Sequence, residues 1–337
     1  MELLDSTNLQ FNHLRDSILS ESDTNPIYAS HFTNYYEEYH YRKPVKKLEF
    51  IVKHDGKAIL LFLLHDYSAT DTEVRHFSYY GLPGVLAINS KANLEIQDLA
   101  MKMILSHLRE IDALKNLRIS SFEITYPDRS SNNITPLEEL ISLGSSAYVY
   151  FERVIDLSKD ADELVSNFSK SVKSAIKKNV LTADSFRLID SNSPDETRKD
   201  TIRALKELHF LSAGRRTRSD ETWETQGSLL ASGSIVVGLG YLQDELVHGA
   251  MFMLADRAAY YAVSANSKEL LGTSVAHPFI YRSILALKAL GIKKLYMGRQ
   301  FEELTHNTTE KERNIAKFKS FFGGNLVLGF GLSNVKE

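Results

Sequence analysis

The segment Ile315-Ala316-Lys317-Phe318-Lys319-Ser320-Phe321-Phe322-Gly323-Gly324 stands near the end of the chain, and the apolar run Leu326-Val327-Leu328-Gly329-Phe330 follows it closely. Its apolar residues recur at three- and four-residue spacing, a pattern that predicts a short amphipathic helix. The paired glycines predict the end of that helix, and the apolar run predicts a final β-strand. The segment therefore places Lys319 among aromatic residues, immediately before a chain reversal.

The composition is that of a globular protein able to form a full hydrophobic core. Of the 337 residues, 43% are hydrophobic and 25% are charged, and a chain of this length is expected to form two domains. The formal net charge of −3 predicts no attraction of the whole protein to DNA or to an anionic membrane, although it is compatible with a local basic face.

The sequence contains no cysteine, so disulfides, thiolate metal sites and cysteine nucleophiles are excluded together. Its N-terminus lacks the basic flank and the apolar core of a signal peptide. No apolar run approaches the ~20 residues that are needed to span a bilayer. These features predict a protein without a transmembrane segment in a reducing, cytoplasmic compartment.

The two halves of the sequence predict the same order of elements: hairpin, strand, helix, strand, helix and strand. In the first half, the turn Asp55-Gly56 between two apolar runs is a strong hairpin signal. In the second half, Pro278 suits the first turn of a helix, where its missing N–H is not needed. The repeated order predicts an α/β fold with mixed sheets, divided near residues 156–160 into domains 1–157 and 158–337.

The predicted elements follow from apolar periodicity and from glycine and proline positions. In the first half they are helix 8–20, hairpin 48–64, strand 74–80, helix 94–111, strand 119–125, helix 136–143 and strand 148–157. In the second half they are helices 161–180 and 201–211, hairpin 234–255, strand 257–264, helix 278–290, strand 292–297, helix 310–322 and strand 325–330.

Three motifs resemble one known family. The segment Ser169-Lys170-Ser171-Val172-Lys173-Ser174-Ala175-Ile176-Lys177-Lys178 is similar to a basic helix at the start of that family's second domain. The segment Gly291-Ile292-Lys293-Lys294-Leu295-Tyr296-Met297-Gly298 resembles its strand motif Gly-x-x-x-Leu-Tyr-Asp-x-Gly. Phe318-Lys319, followed by Phe322-Gly323-Gly324, resembles its C-terminal Phe-Lys motif. The family is the Fem family of aminoacyl transferases, which build peptidoglycan cross-bridges, and the element order of each half is that of the GNAT superfamily of N-acyltransferases.

The resemblance implies tandem GNAT-like domains, with the active site of an acyltransferase in the second. GNAT folds hold the reacting acyl group at a gap between two diverging parallel strands, which are expected here at 260–264 and 295–298. The implied donor is acyl-CoA, with acetyl-CoA as the expected form, and the reaction needs no metal. The implied acceptor is an amino group of a cell-envelope precursor: an amino sugar or a peptide, carried as a small molecule or linked to a lipid or a nucleotide.

Departures from the family pattern keep other functions open. The GNAT phosphate loop, Gln/Arg-x-x-Gly-x-Gly/Ala, is absent, and Met297 replaces a common aspartate. An aminoacyl-tRNA-dependent, Fem-type peptidyl transferase is the alternative within the same class. The acidic net charge and the absence of a coiled-coil insert favour acyl-CoA over tRNA. The alternative of another class is a non-catalytic binding module that retains the GNAT fold.

The predicted catalytic residues are Lys319, His277 and Tyr281. The Phe-Lys pair lines the active-site channel in the resembling family, so Lys319 is expected to stabilise an oxyanion, or to bind a phosphate or the nucleotide 3′ end. The alternative is a solvated lysine that interacts with the helix dipole. His277 is expected to accept a proton or to bond the acyl carbonyl, unless it is structural. Tyr281, like Tyr260 and Tyr261, is a candidate proton donor.

The predicted cofactor-binding residues are Gly272, Thr273, Ser274 and Phe318. The first three directly precede a predicted helix, whose N-terminal N–H groups suit a pyrophosphate. Phe318 would form a wall of the same site, although it equally fits the apolar stripe of its own helix, with Ile315 and Phe322.

The predicted substrate-binding residues are Arg218, Arg215, Arg299 and Tyr261. The two loop arginines suit phosphate groups, and in the Fem family a substrate-holding arginine occupies a loop in this region, although a solvated loop is the alternative. Arg299 follows Gly298 at the end of a predicted parallel strand, where substrates gather in open sheets. The lysines of segment 170–178 either contact RNA or a diphosphate, or complement their helix dipole.

Overall fold

The computed structural model describes residues 1–21, 25–40, 46–67, 76–80, 82–89, 91–111, 121–126, 146–178, 185–270, 276–300 and 308–333. The chain forms two compact units: unit 1 consists of Met1–Tyr150 with Leu328–Glu337, and unit 2 of Phe151–Val327. The division falls a few residues before the boundary expected at 157, and it assigns the C-terminal residues to unit 1. In the described ranges, no helix is long and apolar enough to cross a membrane.

Unit 1 is built on a mixed sheet. Its elements are β1 (Glu2–Asp5), α1 (Phe11–Glu21), α2 (Thr33–His40), β2 (Lys46–His54), β3 (Lys57–Asp66), β4 (His76–Ser78), β5 (Gly84–Ile88), α3 (Leu94–Glu110) and β6 (Ser121–Tyr126). The strands lie in the order β1-β2-β3-β4-β6, and β5 pairs with both β3 and β6. The predicted hairpin is present, because β2 and β3 pair antiparallel around Asp55 and Gly56, which have φ of 48° and 77°. The apolar side of α3, including Ile104 and Leu108, is buried in the core of this unit.

Unit 2 is built on a second run of strands. The elements are β7 (Ser146–Asp156), α4 (Ala161–Ser166), α5 (Lys170–Lys177), β8 (Phe186–Ile189), α6 (Asp195–Ala213), α7 (Asp220–Ala231), β9 (Ile235–Leu242), β10 (Glu245–Ala255), β11 (Ala258–Asn266), α8 (Ala276–Ala289), β12 (Lys294–Gln300), α9 (Glu310–Ser320) and β13 (Asn325–Ser333). The strand order is β7-β12-β11-β10-β9-β8, and all of these pairs are antiparallel except β11 with β12. Residues 146–150 of β7 and 328–333 of β13 belong to unit 1, where residues 330–333 pair antiparallel with β6.

The order from β9 to β13 is the predicted hairpin, strand, helix, strand, helix and strand. The core of unit 2 collects apolar side chains from α4, α5, α8, the strands and the end of α9. Within it, Ile280, Ile284 and Leu287 of α8 are fully buried, at the three- and four-residue spacing of one face of a helix.

Some sequence predictions need correction. The helix predicted at 161–180 is two helices, α4 and α5, because the Ser169 side chain accepts a hydrogen bond from the N–H of Val172 and starts a new helix. The helix predicted at 201–211 spans Asp195–Ala213, and α7 and β8 were not predicted. The helix predicted at 136–143 lies outside the described residues.

Candidate functional site

The candidate site is built around the gap between β11 and β12. These parallel strands pair at Ala258 with Lys294, Ala259 with Leu295 and Tyr260 with Tyr296. The ladder ends there, although β11 continues to Asn266 and β12 to Gln300. The backbone groups beyond Tyr260 and Tyr296 therefore do not pair across this gap. They are groups that a ligand inserted between the strands could reach.

Gly298 marks the point at which β12 departs from regular geometry. The register between β12 and β7 shifts between Tyr296 and Gly298, and Gly298 has a φ of 85°. Any side chain there would be strained and would occupy the adjoining space. An ideal Cβ on Gly298 would lie 3.0 Å from Lys319 Nζ and 3.1 Å from the hydroxyl oxygen of Tyr260. Lys319 and Tyr260 therefore converge on Gly298, where the parallel strands diverge.

The two ends of α9 fix the position of Lys319. Thr309 and Glu312 form a capping box at its start. At its end, Gly323 and Gly324 have φ of 67° and 78°, and an ideal Cβ on either would lie 2.7 Å from a backbone carbonyl oxygen. The guanidinium of Arg153 donates hydrogen bonds to the carbonyls of both glycines, at 2.9 Å and 3.2 Å. The predicted glycine stop is thus a tightly packed turn that only glycine fits.

The electrostatic environment of Lys319 is unusual for a lysine near a helix end. Burial disfavours its ammonium form and lowers the pKa to about 8, while the nearby carboxylate of Glu152 acts in the opposite direction. In the described part of the chain, no hydrogen bond or ion pair holds Nζ. With a pKa of about 8, the Lys319 amine remains mostly cationic at neutral pH. It is available to bind an anion or to stabilise a negative charge that develops during a reaction.

Packing of aromatic rings, and not a hydrogen bond, brings His277 and Phe318 together. The His277 ring is buried and stacks on Phe318 at 5.7 Å, with Phe321 and Phe322 at its edges. Burial lowers the pKa of His277, so the ring is neutral at pH 7, and its Nδ1 has no hydrogen-bond partner in the ranges described. The proposed roles of His277 as proton acceptor and of Phe318 as cofactor wall remain predictions.

Tyr261 and Tyr281 lie with the core residues of unit 2. Tyr261 is 8% exposed, packs against Phe252, and burial raises the pKa of its hydroxyl to about 12. The ring of Tyr281 meets Phe168 edge-on. It is the neighbouring Tyr260, not one of these two, whose hydroxyl reaches the space beside Gly298. Sequence alternation shows that Tyr260 and Tyr261 face opposite sides of the strand, but it does not say which side is the core.

The predicted arginine loop forms a separate pocket of about 180 Å³ between α6 and α7. Arg218 donates a hydrogen bond to Nε2 of His209 at 2.9 Å, and its guanidinium lies 5.7 Å from the ring centroid of Trp223. Because burial and the Arg218 charge disfavour protonation, the pKa of His209 is lowered to about 4. Arg215 also lines the pocket, whereas Lys319 and His277 do not. An aromatic floor with guanidinium groups suits a phosphate-bearing ligand.

The remaining predicted residues are placed as follows. Arg299 lies in β12, opposite Glu152 in the register with β7. Gly272, Thr273 and Ser274 lie outside the described residues. In α5, Val172 is buried while Lys177 is exposed, so the basic segment forms a helix with one apolar face. His209 and Trp223 of the pocket were not predicted, because only the packing of α6 against α7 brings them together.

Solved structures with a similar fold were found. FemX is 15% identical, with a TM-score of 0.67, over 98% of this chain and 97% of that one. The chain shares the fold of FemX. L-PGS from Bacillus licheniformis is 11% identical, with a TM-score of 0.56, over 100% of this chain and 95% of that one. A domain from Agrobacterium fabrum, described as the C-terminal domain of a lysylphosphatidylglycerol synthetase, is 6% identical, with a TM-score of 0.54, over 97% of this chain and 92% of that one.

No protein-family model matches the sequence, and no curated protein matches it. At the identities found, the likeness to FemX and L-PGS concerns the fold. The predicted Fem-like α/β fold is thereby confirmed.

Proposed function

We propose that unit 2 is an acyltransferase that moves an acyl group from an activated donor to an amino group. The observation that carries the proposal is the convergence of Lys319 Nζ and the Tyr260 hydroxyl on Gly298, at the end of the β11–β12 ladder. A reacting carbonyl placed in the gap would have an ammonium group and a hydroxyl beside it. Those are the two groups that acyl transfer to nitrogen needs: one for the oxyanion and one for proton transfer.

The chemistry follows from that placement. A neutral amine attacks the acyl carbon, a C–N bond forms, and the carbonyl oxygen becomes an oxyanion that the Lys319 ammonium stabilises. When the tetrahedral intermediate collapses, the bond to the leaving sulfur or oxygen breaks. The Tyr260 hydroxyl gives its proton to the leaving atom and takes one from the attacking nitrogen, so protons balance without a metal ion. Binding between two strands orients the donor before the attack.

We propose acyl-CoA as the donor, with acetyl-CoA as the first form to test, and an amine of a cell-envelope precursor as the acceptor. The resemblance to the Fem family and the fold shared with FemX support this acceptor class. The Arg218 pocket supports an acceptor that carries a phosphate, because three arginines line it and the guanidinium of Arg218 lies 5.7 Å from the ring centroid of Trp223.

Aminoacyl-tRNA is the second candidate donor, and one observation favours it. The similar structures with TM-scores above 0.5 include FemX and a domain whose description names a lysylphosphatidylglycerol synthetase. The product named there is an aminoacylated lipid, and an aminoacyl group is what an aminoacyl-tRNA donor would supply. The proposed chemistry in the gap is the same for an ester of tRNA as for a thioester of CoA.

Donor binding separates these candidates. Unfolding of the chain is to be followed with acetyl-CoA, longer acyl-CoAs and charged tRNA, with free CoA and uncharged tRNA as controls. A donor present at 100 times its dissociation constant should raise the free energy of unfolding by about 2.7 kcal/mol. If none of the donors stabilises the chain, a non-catalytic binding module becomes the better account.

Arg218→Met is expected to raise the KM of a phosphate-bearing acceptor by about 10- to 100-fold with little change in kcat, because a charge-assisted hydrogen bond is lost equally from ground and transition states. Steady-state kinetics measure this effect. Arg203→Met is the matched control, because Arg203 is an exposed arginine of α6 whose partner is Asp200. An unchanged KM in Arg218→Met would exclude Arg218 from acceptor binding.

A further inference from the structure

One corner of unit 2 combines exposed apolar and exposed basic side chains. Phe210 and Leu211, in the last turn of α6, are 47% and 60% exposed. Gly214 then ends the helix in the left-handed conformation, and its N–H donates to the carbonyl of Phe210. The exposed residues Arg215 and Arg216 follow directly. We call Phe210, Leu211, Arg215 and Arg216 the α6 corner.

The charges around the α6 corner are mainly positive. The adjoining pocket is lined by four cations, Lys206, Arg215, Arg216 and Arg218, and by two carboxylates, Glu207 and Asp220. One of those carboxylates, Asp220, is already paired with Lys206 at 2.7 Å. A further cation, Lys268, has its Nζ 3.6 Å from the position of an ideal Cβ on Gly214. The α6 corner is therefore a basic surface on a chain whose formal net charge is −3.

We infer that the α6 corner docks on the surface of an anionic phospholipid bilayer. Phenyl and isobutyl side chains enter the boundary between headgroups and acyl chains, while neighbouring guanidinium groups bind lipid phosphates. The rest of the chain is acidic and is repelled by the same surface. The charge distribution therefore also turns the α6 corner toward the bilayer. A nucleic acid would bind the arginines and could stack on Phe210, but it would offer Leu211 no apolar environment.

The corner adjoins the Arg218 pocket, because Phe210, Arg215 and Arg216 line that pocket as well. Docking would hold the pocket at the level of the lipid headgroups. The inference does not depend on the proposed acyl transfer, since binding to a lipid surface needs neither donor nor acceptor.

The test is co-sedimentation of the full chain with vesicles of phosphatidylcholine alone and of phosphatidylcholine with about a quarter phosphatidylglycerol. We expect binding to the mixed vesicles, at least 10-fold weaker binding to the neutral ones, and weakening by salt. The double variants Phe210→Ser/Leu211→Ser and Arg215→Ser/Arg216→Ser should each bind at least 10-fold more weakly than the wild type. All four positions are exposed, so the fold should tolerate the changes.

Matched controls keep the test specific. Lys57→Ser/Lys91→Ser removes the same charge from exposed positions of unit 1, and Leu290→Ser removes an apolar side chain that is 44% exposed. Both should bind like the wild type. Trp223, the only tryptophan of the sequence, lines the same pocket as Phe210, so brominated lipid should quench its fluorescence on docking.

Four results with vesicles would overturn the inference. Two concern binding: no binding to anionic vesicles, or equal loss of binding in a corner variant and its control. The other two are binding without quenching of Trp223 fluorescence, and displacement of the chain from vesicles by uncharged tRNA at low concentration. The last result would assign the corner to RNA. A fifth result, self-association that is lost in Phe210→Ser/Leu211→Ser, would also overturn the inference and would make a second copy of the chain the partner.

Discussion

Lys319→Met is expected to lower kcat/KM by about 100- to 1,000-fold, which is the usual loss when one donor to an oxyanion is removed. The expectation rests on the position of Nζ beside Gly298 and on its lowered pKa. The matched control is Lys317→Met, which makes the same substitution at an exposed position of the same helix. Turnover of Lys319→Met within a few-fold of the wild type would show that Lys319 has no catalytic task.

The same substitution is expected to stabilise the fold. The pKa of Lys319 is lowered from 10.5 to about 8, so the folded state disfavours the ammonium form relative to the unfolded chain. Below about pH 8 the lysine is charged in both states and this penalty is complete, and between about pH 8 and 10.5 the penalty disappears as the folded lysine loses its proton. Because Lys319 is partly exposed, we expect a gain of about 1–2 kcal/mol in Lys319→Met at pH 7. Denaturant unfolding at pH 7 and about pH 10 measures it.

The protonation of Lys319 should also shape the pH dependence of the reaction. If the ammonium form stabilises the oxyanion, kcat/KM falls as the pH rises through about 8. Lys319→Arg retains a cation above that pH, so its residual activity should not show the fall. A limb of the wild-type profile that rises through about pH 8 and is absent from Lys319→Arg would make Lys319 a base and would contradict the proposed role.

Gly298→Ala is expected to lower turnover by at least 10-fold. Its Cβ would lie 3.0 Å from Lys319 Nζ and 3.1 Å from the Tyr260 hydroxyl, so both groups must move from the place at which they converge. The φ of 85° adds strain of about 1–2 kcal/mol, because an L-residue disfavours the left-handed region. Steady-state rates and denaturant unfolding measure the two effects separately.

Gly291→Ala is a closely matched control for Gly298→Ala. Gly291 has a φ of 83°, and an ideal Cβ there would meet no atom within 4 Å. Both variants should therefore lose similar stability from backbone strain, but only Gly298→Ala should lose turnover. Equal turnover in the two variants would mean that the space beside Gly298 is not used by the reaction.

Much of the fold could be predicted because its signals are local. The Asp55-Gly56 turn, the apolar spacing in α3, Pro278 in the first turn of α8 and the Gly323-Gly324 stop each depend on a few nearby residues. The break at Ser169 was missed because Leu164, Phe168 and Val172 keep a four-residue spacing across it, and all three are buried. For α7, Ser219 as N-cap and acidic residues in the first turn were a usable signal.

The candidate site was less predictable, because its parts come together only through tertiary packing. The motif around Phe318 and Lys319 predicted a lysine in the active-site channel, and the structure places its Nζ beside Gly298, which belongs to a second motif of the same resemblance. The catalytic role of Lys319 stays a prediction. Alternation in β11 could not decide between Tyr260 and Tyr261, because both sides of a strand in a layered sheet are partly covered. The position of the Trp223 ring in the arginine pocket depends on how α6 packs against α7, and no local sequence pattern encodes that packing.

The central claim is that the donor binds in the gap between β11 and β12. Backbone hydrogen–deuterium exchange, with and without a saturating concentration of whichever donor stabilises the chain, tests it most directly. We predict slower exchange in segments 261–266 and 297–300, and no change in β2 and β3 of unit 1, which serve as an internal reference. Donor binding that leaves exchange in both segments unchanged, while it slows exchange elsewhere, would contradict the account.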